Sequence, residues 1–134
     1  MVGVGVVVLQ AGRILLVRRS KPPRMGEWSL PGGRQEWGET VEEAGRREVF
    51  EETGLRLDEV RVVAVVDLIE RDEGGRAVIH FTLVDLVGEA LPGEAVAGDD
   101  AAEAAWFDRV EIPKLGLWHE TERVIALALA GGGV

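Results

Sequence analysis

Three glutamates, Glu48, Glu51 and Glu52, are spaced i, i+3 and i+4. On a helix that turns about 100° per residue, that spacing puts all three on one face. Each like-charged pair at i,i+3 or i,i+4 costs such a helix roughly 0.2–0.5 kcal/mol, so something must offset the repulsion. Arg47 can pair with Glu43 and Glu51, and Arg46 with Glu42, which makes part of the acidity ordinary helix-surface pairing; Glu48 and Glu52 have no such partner in the sequence. One to two turns earlier on the same face lie Val41, Ala44 and Gly45, and a mid-helix glycine costs about 1 kcal/mol relative to alanine. Small residues allow close approach to another backbone, and the loop Pro31-Gly32-Gly33, with carbonyl oxygens to offer, is the expected neighbour. Carboxylates with a carbonyl make a hard-oxygen site, which selects Mg²⁺ or Mn²⁺ and leaves positions for water and phosphate.

The element that carries these acids is well marked. Thr40 followed by Glu43 is a capping box, Glu42 and Glu43 complement the positive N-terminal end, and Gly54 suits a left-handed C-terminal cap. The signals predict a helix from about Val41 to Thr53. Before it, Val4 to Leu9, a turn at Ala11-Gly12 and Ile14 to Val17 read as a buried β-hairpin, followed by a basic loop over Ser20 to Gly26. After it come strands over Val60 to Ile69 and Ala77 to Val87, a flexible loop over Gly88 to Asp100, and a short strand over Ala104 to Phe107. An amphipathic helix over Trp118 to Ala130 closes the pattern. No repeat or linker is visible, so residues 1–134 read as a single α/β domain with a mixed sheet covered by helices.

Composition narrows the chemistry. Among 134 residues, 15 are Lys or Arg and 24 are Asp or Glu, a net charge of −9. That balance argues against a protein that grips a nucleic-acid backbone by direct cationic contacts. With no cysteine there is no disulfide framework, thiolate-bound zinc, iron–sulfur cluster or thiol catalysis. The charge is unevenly spread: residues 1–32 hold five cations against Glu27, whereas residues 33–55 hold seven glutamates against three arginines. A basic segment beside an acidic one suits an anionic substrate held partly by arginines and partly by metal ions on carboxylates. The apolar stretch Met1 to Leu9 lacks a basic flank and a cleavage site and is too short to span a membrane. No membrane association is expected, and the localisation expected is cytoplasmic.

The segment Gly33 to Leu55 resembles the Nudix box, Gly-x5-Glu-x7-Arg-Glu-U-x-Glu-Glu-x-Gly-U with U a bulky apolar residue, and it matches at every specified position. Trp28-Ser-Leu-Pro-Gly-Gly33 is similar to the family's lead-in, and Trp106-Phe107 to its late strand. The resemblance implies an α/β/α sandwich with a mixed sheet. It also implies Mg²⁺- or Mn²⁺-dependent hydrolysis of a nucleoside diphosphate linked to another moiety. Carried over by position, Glu48, Glu51 and Glu52 are expected metal ligands, with Glu48 or Glu51 as an alternative water activator. The Gly32 carbonyl is a further expected ligand, Arg47 would hold a glutamate in place, and Glu39 would bridge loop to helix. Among Asp99, Asp100 and Glu103, Asp100 is the first choice for an additional loop acid.

For substrate, residues 97–103 and 117–121 are similar to small bacterial proteins described as ADP-ribose pyrophosphatases. ADP-ribose, cleaved to AMP and ribose 5-phosphate, is therefore the first expectation. Hydrolysis of nucleoside triphosphates or oxidised nucleotides comes second, followed by dinucleoside polyphosphates or a non-catalytic nucleotide-binding module. Arg18, Arg19, Lys21, Arg24 and Trp28 are the expected substrate contacts, whereas His80 and His119 read as structural. A homodimer, with the apolar N-terminal hairpin as its edge, is an option that the sequence leaves open.

Overall fold

The computed structural model describes residues 1–22 and 24–133; Pro23, in the expected basic loop, and Val134 lie outside the described residues. Seven strands and two α-helices run in the order β1 (Val2–Gln10), β2 (Arg13–Arg19), β3 (Trp28–Ser29), β4 (Gly32–Arg34), α1 (Val41–Thr53), β5 (Leu57–Arg71), β6 (Ala77–Ala90), β7 (Ala101–Phe107) and α2 (His119–Leu129). A short 3-10 helix, Arg109–Lys114, precedes α2.

The sheet is mixed. β1 runs parallel to β6, and every other pairing is antiparallel. β1 and β2 pair only at their hairpin end, Val8–Gln10 against Arg13–Leu15. Further along, β3 pairs with Val17 and Arg18 of β2, while β4 pairs with Gly3 to Gly5 of β1. The two short strands, β3 in a stretch to which the sequence reading assigned no element and β4 in the loop it placed at Pro31-Gly32-Gly33, therefore carry the chain from β2 over to the start of β1. β1 lies inside the sheet between β6 and β2, so the N-terminal hairpin is not an edge open to a second copy; β5 forms an edge instead.

Both faces of the sheet are buried, which explains the unbroken valine run of β1. Val6, Val8, Leu15 and Leu86 pack with Val49 of α1 and with Leu55 and Leu57. Val7, Ile14, Leu16 and Val87 pack on the opposite side with Ile112 and with Val124, Ile125 and Ala128 of α2. The result is the expected α/β/α sandwich. At roughly 1.5–3 kcal/mol for each large side chain removed from water, these two layers supply most of the force that clamps α1 to one face of the sheet and α2 to the other.

Candidate active site

The site is built where α1 meets β4. Thr40 and Glu43 form the reciprocal capping box, with Glu43 N–H donating to Thr40 Oγ1 at 3.0 Å and Thr40 N–H to Glu43 Oε1 at 2.9 Å. Gly54 closes the helix in the left-handed conformation, with φ of 73°. Ala44, Gly45, Val49 and Thr53 form its buried face. A Cβ on Gly45 would stand 2.6 Å from Leu86 Cδ1, so this glycine lets α1 approach the sheet rather than the 31–33 segment. That role falls to Gly33: a Cβ there would lie 2.5 Å from Glu48 Cδ. One residue earlier, Gly32 N–H donates to Glu52 Oε1 at 2.8 Å. Glu48 and Glu52 are thus pressed against a glycine-glycine strand. Glu51, with a side chain 40% exposed, faces outward.

Arg47 organises the acids. It donates through Nε and Nη2 to both oxygens of Glu39, at 2.7 and 3.0 Å. Its Nη1 donates to Glu48 Oε1 at 2.8 Å and reaches Glu51 at 3.3 Å, while Nη2 also donates to the Arg34 carbonyl at 2.9 Å. The expected pairing of Arg47 with Glu43 does not form, because the capping box holds Glu43. Glu48 likewise is not partnerless. A forked guanidinium can serve several carboxylates at once, which lets one residue tie the 34–39 loop to the acidic face. Glu39 accepts a further bond from Glu36 N–H at 3.0 Å and bridges loop to helix as expected.

The electrostatics are those of carboxylates held out of water. Burial pushes the Glu52 carboxyl up to about 7, against the opposing pull of Gly32 N–H. Burial also raises Glu48, with Arg47 opposing it. Glu39 moves the other way, held down by its bonds to Arg47. Among the described residues no three Asp, Glu or His side chains already surround one point. Among the described residues, nothing donates to one oxygen of Glu48 and one of Glu52, Oε2 in both cases. Two desolvated carboxylates with spare oxygens are a hard donor set whose cost a divalent cation would relieve. The residues therefore fit such an ion.

The three candidate loop acids are placed differently. Asp100 pairs with Lys21 at 2.8 Å, its carbonyl accepts from Ser20 Oγ at 2.5 Å, and it is largely exposed. Asp99 is the acid whose charge bears on both Glu48 and Glu52. Its segment is seated on the end of α1, where Gly98 N–H donates to the Glu52 carbonyl and Val96 N–H to the Thr53 carbonyl, both at 2.9 Å. A φ of 54° at Asp99 follows the glycine, and Asp tolerates that region better than most residues. Glu103 is taken by Arg18 at 3.1 Å.

Most of the expected cations are likewise engaged. Arg18 pairs with Glu103, Lys21 with Asp100, and Arg24 with Glu70 at 3.0 Å. Arg19 is the one whose positive charge reaches Glu52. Trp28 is half-buried, edge-on to Phe107 with centroids 5.0 Å apart, and Arg18 lies over its ring at 5.5 Å. Gly32 touches the acidic face through its N–H, which donates to Glu52. His80 lies exposed on β6, and His119 stands edge-on to Trp118 at the start of α2. Sequence reasoning passed over Asp85, a buried acid in the Val/Leu-rich β6, where a charge among apolar neighbours was the visible signal.

A family model described as the NUDIX domain matches residues 1–128. An ADP-ribose pyrophosphatase of Methanocaldococcus jannaschii is 41% identical over 89% of this chain and 68% of its own length. An 8-oxo-dGDP phosphatase of Mus musculus is 33% identical over 85% of this chain, which spans about a third, 34%, of that protein. The crystal structure of a MutT NUDIX hydrolase from Burkholderia pseudomallei superposes with a TM-score of 0.80 at 33% identity, covering 94% of this chain and 95% of the other. With a complete box over residues 33–55 and a match along nearly its whole length, the chain belongs to the Nudix family of hydrolases.

Proposed function

We propose that this protein is a Mg²⁺-dependent pyrophosphohydrolase, with Mn²⁺ able to substitute, that cleaves ADP-ribose to AMP and ribose 5-phosphate. The observation that carries the hydrolytic reading is the docking of Glu48 and Glu52 on β4, with burial raising both carboxyls and Gly33 leaving no room for any side chain. The choice of ADP-ribose draws on the 41% identity to the archaeal enzyme of that name.

Glu48 and Glu52 would hold the metal through their spare oxygens, with Asp99 reaching in from the 96–100 segment. When bound, the divalent ion neutralises the diphosphate, polarises phosphorus and acidifies water. The chain's own groups set the geometry. Arg47 holds Glu48 from one side while Gly32 N–H holds Glu52 from the other, so the two carboxylates keep a fixed separation as substrate enters. Glu51 is bound to Arg47 only by contacts of 3.3–3.4 Å and is the most exposed of the three. It is free to turn to a water and take its proton as general base, a role worth roughly 10²–10⁴-fold in rate. Arg19 supplies positive charge on the substrate side.

The test is product analysis with ADP-ribose, 8-oxo-dGTP and dATP in the presence of Mg²⁺ or Mn²⁺. AMP from ADP-ribose, at an efficiency well above that for either triphosphate, is the expected result. Preference for the oxidised purine nucleotide, the second reading, is favoured by the likeness to the mouse phosphatase and would replace the first. Release of no phosphate product from any of the three would sink the hydrolytic reading.

A further inference from the structure

The layers that bury the sheet stop short of the outer half of the β5–β6 hairpin. Leu86 and Val84 of β6 still pack in the α1-side layer. Strand side chains alternate between faces, so the next β6 positions on that face are Thr82 and His80. Across the ladder, Val65 stands opposite Val84, Asp67 opposite Thr82 and Ile69 opposite His80, with Arg71 following. This stretch is open to solvent, with Val65 54% and Ile69 39% exposed. The open face continues across the start of β1. Val2 pairs with Thr82, and Gln35 N–H donates to the Val2 carbonyl at 3.0 Å. Arg47 of α1 holds the 34–39 loop on this side of the sheet. That loop carries Trp37, which is fully exposed, close to the exposed Met1. Met1, Val2 and residues 34–39 line a recess of about 490 Å³, within the roughly 300–1,000 Å³ that accommodates a ligand-sized group.

We propose that this face is the interface of a homodimer, in which a second copy of the chain packs across a two-fold axis with Trp37 as the anchor. Three observations select that occupant. The first is area. A folded monomer of 14.5 kDa has a surface of about 6,900 Å², whereas this chain exposes 7758 Å²; the excess matches the roughly 800 Å² that each partner contributes to an interface of standard size. The second is charge. The chain as a whole carries −9 and repels its own copies, yet this face holds Arg34 and Arg71 against Glu36 and Asp67 and is neutral. A cationic partner would find here none of the acidity it could use elsewhere, whereas two-fold pairing sets the acids of one copy against the cations of the other. Neither Arg34 nor Asp67 is engaged in an ion pair among the described residues. The third is rigidity. Glu36 N–H donates to Glu39, and Arg47 grips Glu39 and the Arg34 carbonyl, so the indole is presented on a fixed loop and little order is lost when it is covered. Tryptophan is the residue type that most often carries the energy of such contacts.

The test is sedimentation velocity of the intact protein over roughly 1–100 µM, where the wild type should pass from monomer to dimer as concentration rises. Trp37→Ala, which truncates the anchor in both copies, should raise the dimer dissociation constant at least about tenfold. Asp67→Lys makes the face positive and Arg71→Glu makes it negative, so each variant alone should dimerise more weakly than the wild type. An equimolar mixture of those two variants should restore association as heterodimers, read by native mass spectrometry as an excess over the statistical share. All three positions are exposed, so these substitutions leave the packed core untouched. A wild type that stays monomeric throughout that range would overturn the inference and leave the face to a different partner. A dimer indifferent to Trp37→Ala, or a mixture with no excess of heterodimer, would overturn it as well.

Discussion

A buried acid that no described residue supplies with a hydrogen bond should betray itself in the pH dependence of unfolding. Asp85 has its carboxyl raised from 3.8 to about 6 by burial, so the folded chain holds that proton more tightly than the unfolded chain does. Stability from this group is complete below pH 3.8 and is lost progressively as pH rises through about 6. Above that the ionised carboxylate sits in the folded protein at a constant cost. At 1.36 kcal/mol per unit, the shift amounts to about 3 kcal/mol at pH 8. Asp85→Asn removes the ionisation and keeps the shape, and its amide carries much the same desolvation cost as the neutral acid. The variant should therefore be more stable than wild type by up to about 3 kcal/mol at pH 8, with the difference shrinking towards zero near pH 4. Urea unfolding of both proteins, in chelator and at half-unit steps from pH 4 to pH 8, measures that difference directly. A group such as Glu39, whose carboxyl is held low by Arg47 far from Asp85, titrates alike in both chains and cancels. Parallel pH profiles, or an Asn variant that is less stable at pH 8, would refute the reasoning.

Two further outcomes follow from the catalytic face. Glu52→Gln should weaken Mn²⁺ binding, read by electron paramagnetic resonance, and lower turnover by at least about 10²-fold while the protein stays folded; near-normal turnover would remove Glu52 from the site. Gly33→Ala places a methyl 2.5 Å from Glu48 Cδ and must displace that carboxylate. A stability loss of about 1–3 kcal/mol is expected, together with a metal requirement shifted upward by roughly 10–100-fold, and an unchanged metal titration would show that Glu48 does not bind the ion.

The helix that bears the acids was legible in sequence because its signals are local. Thr40, Glu43 and Gly54 act within a turn or two of themselves, and each appears in the structure in the expected role. The long strands were legible for a similar reason, although β5 and β6 extend beyond their apolar runs because pairing continues to Leu57 and Ala90 at the open end of the hairpin and to Arg71 and Ala77 at its turn. β3 and β4, at two and three residues, have no period to read; they exist because β1 and β2 diverge and leave edges to pair. The different placement of the two loop aspartates was out of reach as well. Asp99 and Asp100 are adjacent and chemically equal, and only the seating of Gly98 on the end of α1 and the capture of Asp100 by Lys21 tell them apart.

By itself the sequence determined the family, the hydrolytic chemistry and the residues that could hold a metal, because spacing along one helix decides which side chains share a face. The tertiary structure decided which of those side chains are held and by what. Arg47 engages Glu39 and Glu48 rather than Glu43, Gly33 rather than Gly45 makes room for a carboxylate, and most of the basic lead-in is already paired. It also brought Asp85, more than thirty residues beyond Glu52, into a cavity that shares Gly32 with the active site. The physical reason is common to all of these. Contact, desolvation and charge coupling depend on distance through space, and residues far apart in the chain meet only once the sheet has been assembled.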